Sequence, residues 1–266
     1  MPFKQYIRKD DHRGEYWEGQ SFEEHLALCD AQLTTDTLLR LLPKNGVILE
    51  AGCGLGRWVV YLRERGHRVV GLDLSLDTLT RCRAHGGTSS VVVGDILRMP
   101  FPDHTFSAIL SFGVVEHLEH GISDAFAEMQ RLLHPNGILF LAVPCANVLR
   151  QLFIHPYVLI RNLVRKIRGI TLVFAEYRYS KAEVKRLLQE NGFEPMEVVP
   201  DDLRLPYAMG ISTDLRGRLT VPGRKFELNR AGLVLEKCLR FLSPWASCGG
   251  VFCVARRRNH PGACHE

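Results

Sequence analysis

The sequence predicts an α/β domain with a mostly parallel sheet and helices on both faces. Three observations predict it. Five short apolar runs recur between residues 47 and 144, each closed by an acid or a turn. Segments with apolar residues at helical spacing separate them, and that alternation calls for parallel strands joined by right-handed crossovers. The first run passes straight into three glycines at alternate positions, Gly52, Gly54 and Gly56. A chain of 266 residues, 46% hydrophobic and 24% charged, suits one such domain with a large core.

Taken in order, a polar segment holding Tyr16 and Trp17 comes first. One helix is expected over residues 21–42, where Phe22, Leu26, Leu33, Leu38, Leu41 and Leu42 recur at helical spacing before the stop at Pro43 and Gly46. Val47-Ile-Leu-Glu50 is the first strand, the glycines are a tight loop, and a helix follows from Arg57. Such a loop presents bare main chain at the positive end of a helix, so a ligand can lie against it. The second strand, Arg68–Asp73, ends in an acid 23 residues after Glu50. The third, Ser90–Ile96, carries Asp95 in the matching place, 22 residues further on. The fourth begins at Phe106, ends at Ser111 and Phe112, and leads to Glu116 and His117. The fifth, Ile138–Pro144, follows the turn 133–137.

The glycine spacing narrows the ligand. A dinucleotide loop reads G-x-G-x-x-G, and its third glycine would fall on Arg57, whereas here the third is Gly56. With an acid closing each of the first three strands, the segment resembles the class I S-adenosylmethionine-dependent methyltransferases of the small-molecule or lipid type. The resemblance covers about residues 40–145. It implies a Rossmann-like seven-stranded sheet, mostly parallel with strand seven antiparallel; an α-helical lid insertion after strand five is expected from the residues that follow, where this chain should differ from its relatives. It implies S-adenosyl-L-methionine as cofactor, held by Glu50, Gly52, Cys53, Gly54, Gly56, Asp73, Leu74, Asp95, Ile96, Ser111 and Phe112. In that reading Asp73 accepts from the ribose hydroxyls, Asp95 accepts from the adenine amino group, and Ile96 packs on the ring. The same family often folds its leader over the cofactor, which gives Tyr16 or Trp17 a pocket role. Taken singly, the glycines could serve tight packing alone and the acids could be helix caps.

Past the core, residues 147–170 hold Arg150, Arg161, Arg165, Lys166 and Arg168 with no Asp or Glu, matching the net charge of +5 of the whole chain. Leu152, Phe153, Leu159 and Leu163 are expected to turn inward as a lid over the acceptor, with Arg161, Arg165 and Arg168 toward water. Pro156 is expected to separate two short helices. A basic amphipathic helix can also bind an anionic membrane surface as a peripheral contact; the solvated lid is the favoured reading. Ser180 and Glu183 form a capping-box pattern for the next helix. Phe193–Val199 and Gly250–Ala255 are strands six and seven, with a helix around Leu233–Leu242 between them. The chain is thus expected to be one domain: leader and helix 1–42, core 43–146, lid 147–180, and a closing segment 181–266.

Methyl transfer mainly needs an in-line nucleophile and exclusion of water. His117 is the candidate general base, and its bland alternative, a helix start or pocket wall, is favoured. Glu116-His117-Leu-Glu119-His120 is not H-E-x-x-H, which excludes a zinc protease. No C-x-x-C pair occurs among the eight cysteines, so neither a metal site nor a disulfide framework is expected. Cys145 follows strand five, where some RNA cytosine methyltransferases carry a nucleophile, but the neighbouring signatures of those enzymes are missing. The chain also lacks any Pro-Pro for the amino-methylating motif of nucleic acid enzymes, so RNA or protein is the weaker acceptor and a small-molecule or lipid-like one is preferred. A fold that has lost catalysis and only binds partners is the alternative of another class, which retention of Gly52, Gly54, Asp73 and Asp95 disfavours. No run approaches the length of a membrane span, and the first residues lack the apolar segment of a signal peptide, so a cytoplasmic location is expected.

Overall fold

The computed structural model describes residues 1–9, 21–85, 90–215, 218–224 and 226–258. Tyr16 and Trp17 lie outside the described residues. Strand β1 (Phe3–Arg8) opens the chain, followed by α1 (Phe22–Ala31) and α2 (Thr35–Leu41). The core then alternates β2 (Val47–Ala51), α3 (Arg57–Glu64), β3 (Arg68–Asp73), α4 (Leu76–Ala84) and β4 (Val91–Val93). Next come β5 (Phe106–Phe112), α5 (Ile122–Leu132) and β6 (Leu133–Pro144). A wide π turn (Arg150–Ile154) leads into α6 (His155–Ile167), then β7 (Leu172–Arg178) and α7 (Lys181–Glu190). The chain closes with β8 (Phe193–Asp201), the short α8 (Ile211–Asp214), α9 (Arg230–Leu242) and β9 (Gly250–Arg257).

The main sheet has seven strands in the order β4-β3-β2-β5-β6-β9-β8. Strands β4 to β6 are parallel, and β9 runs antiparallel between β6 and β8. This is the Rossmann-like architecture, with the seventh strand of the sheet reversed. Alternation along each strand feeds two cores. Leu49, Leu139, Leu141 and Val251 meet Phe126 and Met129 of α5 and Leu188 of α7 on one face. Ile48, Phe140 and Phe252 meet Leu38, Trp58, Leu62 and Leu79 from α2, α3 and α4 on the other. Caps fix where the helices start. Ser180 and Glu183 close the capping box of α7, and the Asn229 side chain accepts from the Gly232 amide at the head of α9.

Two expected elements differ in the structure, and one strand is added. The helix over residues 21–42 is two helices, because Gln32 is drawn away to bond elsewhere. Its side-chain amide donates to Asp201 at 2.9 Å, the Leu33 amide donates to the Asp202 carbonyl at 2.8 Å, and Thr34 donates to Asp201 at 3.0 Å. Pro156 does not separate two helices. The π turn just before it makes room for a ring that would strike the preceding turn, so the helical run continues from 148 to 167. Strand β1 was not foreseen; it pairs antiparallel with β7, from Phe3 opposite Arg178 to Arg8 opposite Leu172, as a separate ribbon.

Candidate active site

The parallel strands bring Glu50, Asp73, Asp95, Ser111 and Phe112 to one edge of the sheet, because each lies at or just past the carboxyl end of its strand. That edge is where open α/β sheets bind ligands. Gly52 and Gly56 have φ of +81° and +75°, a region where a side chain is strained. A Cβ on Gly52 would also strike Val114, and one on Gly56 would strike the Cys82 sulfur. The amides of Gly52 and Cys53 both donate to the Leu72 carbonyl, at 2.7 and 2.9 Å, which ties the loop to the end of β3.

One of the acids holds this loop as well as facing the edge. The Gly54 amide donates to one Asp73 oxygen at 2.9 Å, and the Ser75 amide donates to the other at 2.9 Å. Glu50 is buried and accepts from the Val59 amide at the head of α3, at 3.0 Å. Burial pushes its carboxyl up to about 8, against the pull of Arg57. Asp95 is exposed and accepts from the Leu97 amide at 2.9 Å. Each Asp73 oxygen keeps a lone pair beside its one backbone donor. Two acceptor-only carboxylates on neighbouring strands, next to bare loop backbone, fit a ligand that offers a hydroxyl pair and an amino group.

The other predicted residues divide. Leu74 is 71% exposed beside Asp73. Ile96 and Cys53 are buried, and burial raises the Cys53 thiol far above its ordinary value, so it stays an inert thiol. Phe112 packs edge-on against Trp58 and tilts on Phe252, so its ring belongs to the core. The Ser111 hydroxyl is buried without a protein partner. His117 ends a single 3₁₀ turn, Val115–His117, and is exposed. Its Nδ1 lies 2.7 Å from the Ala175 carbonyl of β7. A carbonyl can only accept, so Nδ1 carries a proton in this contact, and Nε2 is the ring nitrogen left for a ligand.

Glu116 is the residue that sequence reasoning passed over. It is 2% exposed, one of its oxygens has no partner, and burial pushes it up to about 8. The available signal was an acid inside the apolar stretch 112–118.

The insertion is oriented opposite to expectation. Leu152, Phe153, Leu159 and Leu163 are 59–63% exposed. The buried side carries Arg150, His155, Val158 and Asn162, while Arg161 and Arg165 are partly buried and Lys166 and Arg168 exposed. Arg150 is fixed by Asp214 at 2.7 Å and by the carbonyls of Cys145 and Gly249, each at 2.9 Å. Beside the helix lies a cleft of about 650 Å³, walled by Phe3, Tyr6, Leu159, Leu163 and Leu172. Among its described lining residues are Ala146 and Ser180 but none of the predicted cofactor residues.

Residues 49–141 match the family model described as a methyltransferase domain. That match identifies a methyltransferase domain over residues 49–141. The domain is 33% identical over 133 residues to the malonyl-[acyl-carrier protein] O-methyltransferase of Salmonella typhimurium, covering 49% of this chain and 52% of that protein. A counterpart from Serratia marcescens is 33% identical over 105 residues, covering 40% and 41%. The chain spans about half the length of the curated relatives it matches. Among solved structures, an S-adenosylmethionine-dependent methyltransferase from Methanosarcina mazei superposes with a TM-score of 0.59 at 15% identity, covering 84% of this chain and 98% of that one. Geranyl diphosphate C-methyltransferase from Streptomyces coelicolor gives 0.54 at 22% identity, covering 84% and 74%. These likenesses establish the shared fold.

Proposed function

We propose that the protein transfers a methyl group from S-adenosylmethionine to a small-molecule or lipid-like acceptor. One observation carries the reading: the left-handed glycine loop is held at 2.9 Å to Asp73, at the ends of adjacent parallel strands. In this reading the loop backbone and Asp73 hold the ribose side of the cofactor, and Asp95 holds the adenine amino group. Bound S-adenosylmethionine supplies a methyl group already activated by the neighbouring positive sulfur. His117 takes the acceptor's proton on Nε2 while the Ala175 carbonyl fixes its ring. The relatives' names support the acceptor class: one acts on an acyl-carrier-bound malonyl group, and a fold neighbour was solved with a geranyl thiolodiphosphate.

The test offers malonyl-acyl carrier protein, geranyl diphosphate, a bacterial lipid extract and total RNA as separate acceptors, and reads formation of S-adenosylhomocysteine. Turnover with a small or lipid-like acceptor is expected, and His117→Ala should lower it by about a hundredfold with cofactor affinity nearly intact. Turnover with RNA alone would overturn the acceptor class. An unchanged rate in the variant would remove His117 as the base.

A further inference from the structure

An ordinary surface helix buries its apolar stripe and shows its polar residues to water. The run 148–167 does the reverse. Nine large apolar side chains on it are exposed, among them Leu152 at 62%, Phe153 at 63%, Ile160 at 65% and Ile167 at 77%. That is far more than the scattered apolar residues of a normal surface.

The inversion is locked. Arg150 is held at the start of the run by Asp214 and three backbone carbonyls, those of Cys145, Gly249 and Gly210. His155 stacks on Phe3 with ring centroids 3.7 Å apart, and Asn162 donates to the Tyr6 carbonyl at 3.2 Å. Rolling the helix to hide its apolar side would carry Arg150, His155 and Asn162 away from these partners. The exposed face is therefore a stable property of the fold.

We propose that this face docks on an anionic lipid surface, with the apolar side chains in the acyl–headgroup boundary. Charge selects that occupant. Lys166 and Arg168 are exposed at the end of the run, and no acid occurs from 147 to 170. Anionic headgroups would neutralise these cations, whereas a second copy of the same face brings no acid to do so. Phe153 and Tyr157 are aromatics of the kind that settle at a membrane interface. The neighbouring cleft shares Leu159, Leu163 and Lys166 with this face, which leaves space for part of an amphiphile beside it. The proposal stands apart from methyl transfer and does not depend on the acceptor.

The experiment is flotation with vesicles of phosphatidylcholine alone or with phosphatidylglycerol added, at low and high salt. Wild-type protein should float with the anionic vesicles at low salt and much less at high salt. Ile160→Ser combined with Ile167→Ser should lower the partition at least tenfold. Lys166→Ala combined with Arg168→Ala should lower it by roughly 25-fold, about fivefold per charge, the ~1 kcal/mol a basic side chain gains near such a surface. All four substituted positions are exposed, and unchanged melting and S-adenosylmethionine titration will show that the variants are folded. Wild-type protein that ignores anionic vesicles at low salt would overturn the proposal, as would variants that float like wild type. A concentration-dependent dimer in vesicle-free buffer that the double Ile variant abolishes would overturn it in favour of a second copy. Failure of the cofactor titration in wild type would count against the methyltransferase reading alone.

Discussion

Glu50 shows what a buried carboxyl at a strand end costs. Its carboxyl is buried at the end of β2, where it accepts from the Val59 amide, and burial lifts it to about 8. The unfolded chain loses that proton near the ordinary value of 4.5, and the folded chain keeps it. The stabilisation is thus fully present below about pH 4.5 and is lost as the pH rises through about 8. Glu116, also raised to about 8, acts in the same sense. Replacing Glu50 by Gln keeps an acceptor for Val59 and removes one titration. The variant should melt about 2–4 °C higher than wild type at pH 8, the shift that 1 kcal/mol gives a chain of this size. Its melting temperature should also fall less steeply between pH 5 and 8. Equal pH slopes in the two proteins would show that Glu50 is ionised throughout.

At the scale of elements, the insertion hangs on Arg150. It ties the start of the helical run to α8 through Asp214, which also pairs with Arg178 of β7 at 3.2 Å, while Arg178 reaches Glu176 at 2.9 Å. Removing Arg150 would take one donor from each of three carbonyls and from a buried carboxylate. Arg150→Ala should therefore cost about 3–5 kcal/mol in urea unfolding. Arg150→Lys should recover only part of that, since one ammonium cannot replace the planar fork. A loss below 1 kcal/mol in the Ala variant would show that the network is not what fixes the insertion.

The parts legible in the sequence were those governed by local rules. Strand ends at Asp73 and Phe112 and the capping box at Ser180 were read correctly from alternation, turns and spacing. The parts not legible depend on partners distant in sequence. Nothing near Arg150 announces Asp214, 64 residues on, and so a buried arginine looked like part of a solvated charge run. The break at Gln32 is set by Asp201, 169 residues away, against good local helix pattern. The ribbon of β1 with β7 joins residues about 170 apart. Helix periodicity located the amphipathic run but could not give its direction, because periodicity says which residues share a face and not which face is buried. Among the site residues, the strand-end placement of Glu50, Asp73 and Ser111 follows from where the apolar runs stop. The core packing of Phe112 follows from Trp58 and Phe252, which only the fold brings together.

For the molecule as a whole, the fold presents two surfaces of different chemistry. The carboxyl edge of β2 to β5 gathers the glycine loop and its acids, and the insertion beyond β6 presents a fixed apolar and basic face. Among the described residues no helix is long and apolar enough to cross a membrane. Titration calorimetry with S-adenosylmethionine and with NAD probes the glycine-loop edge. Saturable binding of S-adenosylmethionine is predicted, with Asp73→Ala weakening it by about 1.5–3 kcal/mol, the worth of charge-assisted hydrogen bonds. Saturable binding of NAD with none of S-adenosylmethionine would contradict the account, and an unchanged affinity in folded Asp73→Ala would remove Asp73 from the site.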